Sequence, residues 1–216
     1  MTDSNKPPAA EQLSIPGPAG ALQALVETPE GARVTHFGVI CHPHPLYGGT
    51  LVNKVVYTLA RTFQELGAAT IRFNFRGVGA SEGAYDQGHG ETNDALAVVA
   101  YGRQRWPEAA LWLAGFSFGG AVAIRAEDRA QPQRLVAVAP GVTILAVERD
   151  TKPSCPWLIV QGDADDVIEP RYVLDWASGL VPRPKVSVLA GAGHFFHGRL
   201  HDLKDAVREF LRAQAA

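Results

Sequence analysis

The sequence predicts an α/β fold three layers deep: a mainly parallel sheet, helices on both faces, and an antiparallel hairpin at the N-terminal end. Three observations carry this. Short apolar runs such as Phe37–Cys41, Leu111–Ala114 and Trp157–Gln161 have the length and composition of strands buried on both faces. Between them lie longer segments with apolar residues at helical spacing, as in Val55, Val56, Leu59, Ala60, Phe63 and Leu66. The regular alternation of the two implies right-handed crossovers and hence parallel strands.

Taken in order, residues 1–10 are polar and Pro-rich and read as a loose tail, with one domain over 11–216. Leu13–Ile15 and Leu22–Glu27 flank the turn-forming Pro16-Gly17-Pro18-Ala19-Gly20, a hairpin signal. The strand Phe37–Cys41 stops at His42-Pro43-His44-Pro45. A helix over Asn53–Leu66 is closed by Gly67, and Ala69–Phe75 is the next strand. A helix from about Glu91 to Arg105 leads into Pro107 and the strand Leu111–Ala114. Leu135–Ala139, Trp157–Gln161 and Val186–Leu189 supply three more strands. Helices over about Pro170–Leu180 and over Leu200–Leu211 complete the chain.

Composition narrows the class of protein. A chain of 216 residues with 46% apolar and 19% charged residues fits one globular domain. A net charge of −2 gives no reason to expect nucleic acid or an anionic membrane as partner. No apolar run is long enough to span a bilayer, and the N-terminal stretch lacks the basic-then-apolar order of a secretory signal. Cys41 and Cys155 sit in strand-like apolar surroundings, as reduced core cysteines of a cytoplasmic protein would.

The stretch that organises the chemistry is Gly115-Phe116-Ser117-Phe118-Gly119-Gly120, between the strand Leu111–Ala114 and an Ala-rich helical run. A serine flanked two residues away by glycines, at a strand-to-helix turn, is a nucleophile elbow: the turn is tight enough that its neighbours must lack side chains. The same spelling also occurs in turns with no chemistry, so partners are needed. After Trp157–Gln161 come Asp163, Asp165 and Asp166, and after the last strand comes Gly193-His194. A serine needs a base to take its proton, and the base needs a carboxylate on its other nitrogen. Ser117 and His194 are therefore candidate nucleophile and base. Among the acids, Asp165 stands first, Asp166 second and Asp163 third. All of these residues fall at carboxyl ends of strands, where α/β sheets bind ligands. One donor to a developing oxyanion is the backbone N–H of Phe118. A second comes from the loop after Phe37–Cys41, where Pro43 and Pro45 have no N–H and His44, Leu46 and Tyr47 remain.

With these residues in hand, the chain resembles the α/β-hydrolase superfamily over nearly its whole length. It looks most like a small, lidless, dienelactone-hydrolase-like group of serine hydrolases. The resemblance is carried by His42-Pro43-His44-Pro45-Leu46-Tyr47-Gly48-Gly49, by Arg72-Phe73-Asn74-Phe75-Arg76-Gly77-Val78-Gly79, by the elbow, and by Gly162-Asp163-Ala164-Asp165 and Gly193-His194. It implies the three-layer α/β-hydrolase fold, Asp165 as the acid of a Gly-x-x-Asp pattern, and Leu46 as the second oxyanion donor. It also implies a small-molecule ester substrate, water as second substrate and no cofactor. Dienelactone hydrolase itself uses cysteine where this chain has Ser117, so its own substrate does not carry over. Lids in the superfamily enter between the strands Leu135–Ala139 and Trp157–Gln161. The gap Pro140–Pro156 holds a loop and no domain, which predicts a site without a cap.

Other features read as structural. His42-x-His44 and the pair His197 and His201 lack a third ligand at metal spacing, so no metal is expected. Arg76-Gly77-Val78-Gly79-Ala80-Ser81 looks like a phosphate loop but lacks the Lys-Ser/Thr of one. Arg76 and Glu82 either fix these loops or stand as a solvated pair. Tyr47, Phe116 and Phe195 are candidates to line an acyl pocket, with Phe118 and Phe196 beside them.

Overall fold

The computed structural model describes residues 9–31, 33–145, 147 and 154–213. Eight strands form one sheet in the order β1-β2-β4-β3-β5-β6-β7-β8. The N-terminal hairpin pairs β1 (Ala9–Gly17) with β2 (Gly20–Thr28), and β2 runs antiparallel to β4 (Ala69–Phe73). From β4 onward every pairing is parallel, through β3 (His36–Cys41), β5 (Ala110–Phe116), β6 (Arg134–Val138), β7 (Trp157–Gly162) and β8 (Lys185–Leu189). β1 takes in Ala9 and Ala10, which composition assigns to the tail; residues 1–8 of that tail lie outside the described residues.

Successive residues of the central strands feed opposite faces, as the pleat requires. Ile40, Ala114, Val136, Leu158 and Val160 pack under α1 (Lys54–Glu65) and α5 (Leu200–Arg212), against Val55, Leu59, Phe63, Leu203, Val207 and Phe210. Val39, Leu113, Leu135, Ala137 and Ile159 face α2 (His89–Arg105), α3 (Phe118–Ala130) and α4 (Pro170–Ser178), against Val98, Val122, Val173 and Trp176. The three layers follow from this two-sided burial.

Boundaries shift where local bonding overrides the apolar pattern. β4 ends at Phe73, two residues short of the apolar run. The next two amides bond elsewhere, Asn74 N–H to the Gln23 carbonyl (2.8 Å) and Phe75 N–H to His42 Nε2 (3.0 Å). β5 runs two residues past Ala114, because Gly115 and Phe116 still pair with Ala137 and Val138 of β6. α2 starts two residues before Glu91, whose buried carboxylate accepts Asp86 N–H (2.9 Å) and Gly88 N–H (2.7 Å) and so caps the helix from inside its first turn.

Between β6 and β7, Gly141–Leu145 makes a single turn, with the amides of Ile144 and Leu145 both donating to the Gly141 carbonyl (3.0 Å each). The stretch from Pro140 to Pro156 is too short to hold a cap domain. Among the described residues, no helix is long and apolar enough to cross a membrane.

Candidate active site

Ser117 sits between β5 and α3 at φ 55°, ψ −120°, left-handed backbone that a side-chain-bearing residue adopts at a cost of ~1–3 kcal/mol. Three backbone bonds hold it there. Its N–H donates to the Val138 carbonyl (2.8 Å), and its carbonyl accepts Gly141 N–H (2.9 Å) and Ala121 N–H (3.1 Å). The glycines are steric necessities. A Cβ on Gly115 would stand 2.0 Å from the Gly119 carbonyl oxygen, and one on Gly119 would stand 2.3 Å from that of His42. The elbow is therefore wedged between its own helix and the loop after β3.

The acid and base come from the loops after β7 and β8. Gly162 admits the His194 loop, since a Cβ there would meet the Ala192 carbonyl oxygen at 2.1 Å. His194 Nε2 lies 3.0 Å from Ser117 Oγ, and His194 Nδ1 lies 2.9 Å from Asp165 Oδ2. With Nδ1–H donating to the carboxylate, Nε2 is the free lone pair facing the hydroxyl. Ser117, Asp165 and His194 are 4%, 6% and 3% exposed, so water does not screen this chain of bonds. Burial alone would raise the pKa of Asp165. The bond from His194 and the N–H groups of Ile168 (2.8 Å) and Val167 (2.9 Å) outweigh it and hold the carboxyl below its usual range. Gln161 Nε2 adds a fourth donor at 3.0 Å, on the oxygen that also meets His194.

The structure sorts the three acids. Asp165 reaches the imidazole. Asp163 Oδ1 instead accepts Gly191 N–H (2.6 Å), tying the two loops together, and Asp166 is exposed. The aromatic candidates separate too. Phe116 is fully buried and its ring stacks under His194 (4.9 Å between centroids), which makes it core support where the sequence suggested pocket lining. Phe196 is likewise core, whereas Phe195 (45% exposed) and Tyr47 (85%) stand at the surface, Phe195 against the imidazole at 5.1 Å.

The loop Pro45–Tyr47 is one 3₁₀ turn, and it changes the expectation for Leu46. The Leu46 N–H donates to His44 Nδ1 (3.2 Å), and the Tyr47 N–H donates to the His44 carbonyl (3.1 Å). The imidazole caps this turn, so the amide that the family resemblance favoured is occupied. Of the three candidate amides, His44, Leu46 and Tyr47, that of His44 alone has no acceptor among the described residues, and the His44 ring packs on Phe118 at 4.9 Å. Phe118 N–H, the first of α3, is also without an acceptor among them.

Residues that looked like metal ligands or phosphate binders have other partners. Fully buried His42 accepts Phe75 N–H at Nε2 and donates from Nδ1 to the Pro43 carbonyl (2.6 Å); desolvation lowers its pKa to about 4. His201 pairs with Asp205 at 3.2 Å. Among the described residues no three His, Cys, Asp or Glu side chains gather where a metal could bind. Arg76 is buried and forks onto Asp94 of α2 (Nε 3.0 Å, NH2 2.7 Å), while Glu82 caps Ala21 N–H (2.6 Å), so the two are separate anchors. Arg72 bonds Glu27 (2.9 Å) and the Leu51 carbonyl (3.1 Å), and Asn74 accepts Leu51 N–H (2.8 Å). Composition gave no sign of Glu91, Asp94 or Gln161. The last carried a readable signal, a polar residue closing the apolar run Trp157–Val160.

A strained serine on a strand-to-helix turn, bonded to a histidine that is bonded to a buried carboxylate, defines the architecture of an α/β serine hydrolase. The comparisons agree. The family described as serine aminopeptidase, S33, matches residues 49–149. An uncharacterized protein of Rickettsia prowazekii (strain Madrid E) is 31% identical over 210 residues, covering 93% of this chain and 88% of its own. A crystal structure from Xanthomonas campestris, a member of the α/β serine hydrolases without a lid, is 39% identical with TM-score 0.90, covering 96% of each chain. An α/β serine hydrolase homologue from Coxiella burnetii is 42% identical with TM-score 0.86, covering 95% of this chain and 97% of its own. The chain belongs to the α/β-hydrolase superfamily, among its small serine hydrolases without a lid.

Proposed function

We propose that the protein is a cytoplasmic carboxylesterase that cleaves small acyl esters through an acyl-enzyme, with water as second substrate and no cofactor, nucleic acid or membrane involved. The observation that carries this reading is the unbroken chain Ser117 Oγ–His194 Nε2, His194 Nδ1–Asp165 Oδ2, at 3.0 and 2.9 Å. His194 takes the hydroxyl proton as Ser117 Oγ bonds to the ester carbonyl carbon. When the carbon–alkoxy bond breaks, His194 returns that proton to the leaving alcohol. Water then repeats the sequence against the acyl-enzyme and frees Ser117. Asp165 stays ionised and steadies the imidazolium. The oxyanion donors are the amides of Phe118 and His44, each worth about 10²–10³ in turnover. Leu46 could serve only by giving up its bond to His44.

The matching family's description as serine aminopeptidase favours a second reading, hydrolysis of an amide by the same residues. A panel of p-nitrophenyl esters and aminoacyl anilides separates the two. Replacement Ser117→Ala is expected to lower ester turnover by ~10⁴–10⁶ with the fold intact and to abolish fluorophosphonate labelling. A variant that hydrolyses esters like wild type would end the proposal, and so would a wild type that takes no label, as a binding protein with a vestigial triad would behave.

A further inference from the structure

Gln161 is an anomaly in β7. The strand is buried along its whole length, and Gln161 is 0% exposed, at a position where neighbouring strands place apolar side chains. Burying an amide is unfavourable unless both ends are bonded. Only one end is. Nε2 donates to Asp165 Oδ2 (3.0 Å) and to the Gly162 carbonyl (3.2 Å), whereas Oε1 has no partner among the described residues. Turning the amide over would set Oε1 against Oδ2, acceptor against acceptor, so the orientation is fixed by the carboxylate. To the fold, this side chain is worth less than an apolar one of equal shape. What it does contribute is at Asp165.

The four donors on that carboxylate divide evenly. Val167 and Ile168 N–H fill Oδ1; His194 Nδ1–H and Gln161 Nε2–H fill Oδ2. The Oδ1 contacts are backbone bonds two and three residues along, and they hold Oδ1, not the oxygen that faces His194. Gln161, rooted in the sheet, grips the oxygen that faces His194.

We propose that Gln161 is a positioning residue: its amide clamps Asp165 Oδ2 onto His194 Nδ1, so that the imidazole keeps its proton on Nδ1 and presents Nε2 to Ser117. The inference rests on the serine-hydrolase reading of those three residues and names a group that tunes it. Gln161 touches no substrate and acts through Asp165.

Two variants test it, with the fluorophosphonate labelling rate of Ser117 and the low-field NMR signal of His194 Nδ1–H as readouts. Gln161→Met keeps the length and removes the donor. Labelling is expected to slow about 10- to 100-fold, the worth of one hydrogen bond to a charged group. The Nδ1–H signal should broaden, with thermal stability unchanged or raised. Gln161→Glu supplies a donor only while the introduced carboxyl shares a proton with Asp165, since two carboxylates in contact resist double ionisation. Its labelling rate should approach that of wild type at low pH and fall away from it as pH rises, an alkaline limb that wild type lacks. A Gln161→Met protein with wild-type rate and unchanged signal would overturn the proposal, as would a Gln161→Glu profile parallel to wild type. If wild type took no label, the hydrolase reading would fall. The signal in wild type and in Gln161→Met would still decide whether Gln161 orders the Asp165–His194 pair.

Discussion

The two halves of the site are held by different means. On the β5 side, Ser117 is fixed by backbone alone: three main-chain bonds and two glycines with no room for a methyl group. On the β7–β8 side, Asp165 and His194 are held mainly by hydrogen bonds, from Gln161, from the amides of Val167 and Ile168 and from each other, while Asp163 ties their loops together and Gly162 admits the close approach. Steric fixing is all-or-none, because a Cβ either fits or displaces main chain. Hydrogen-bond fixing is graded, because each bond can be removed singly at a modest and measurable cost. The Ser117 side should therefore break, and the Asp165–His194 side should tune.

The largest effect is expected at Gly115. In Gly115→Ala the new methyl meets three backbone atoms within 2.7 Å, none of which can rotate away. The variant should lose at least ~3 kcal/mol of stability, beyond ordinary overpacking. A melt and a labelling assay check this; an alanine tolerated without loss would show the elbow to be softer than its geometry.

Next comes Asp165→Asn, which keeps shape but removes the carboxylate that fixes the imidazole tautomer. Turnover should drop ~10³–10⁴, by analogy with triads in which that change has been made. Asp166→Asn, on an exposed residue, should stay near wild type. Equal losses in the two would undo the assignment of the acid.

The last, silent at neutral pH, is a pH effect away from the chemistry. Fully buried His42 holds the loop after β3 to the loop after β4, and its pKa falls from 6.5 unfolded to about 4 folded. Below pH 6.5 the unfolded chain therefore binds a proton that the folded one refuses. Its contribution is complete above 6.5 and is lost as pH falls towards 4, by ~3 kcal/mol in all. Urea midpoints from pH 7 to 4 should fall less steeply in His42→Gln than in wild type. Parallel slopes would mean that His42 takes up its proton in place.

Much of this was written in local patterns. Apolar runs alternating with helical spacing state the layers, and Gly-x-Ser-x-Gly states the elbow, because a turn that tight admits only glycine at those places. What local pattern misjudged were partners that only the folded chain brings together. Arg76 reads as a loop cation until Asp94 of α2 arrives to fork with it. Leu46 reads as a free amide until the His44 ring folds back on it. Phe116 reads as pocket lining until β5 continues through it into the core.

The sequence by itself determined the layer order, the candidate nucleophile and the candidate base, since backbone sterics and hydrophobic periodicity act between near neighbours. Tertiary structure alone decided which of three aspartates meets the histidine, which loop amide is left unbonded and why a glutamine is buried beneath the site. Those outcomes depend on how loops fold back on themselves and on distances between residues far apart in the chain, which only the assembled structure fixes.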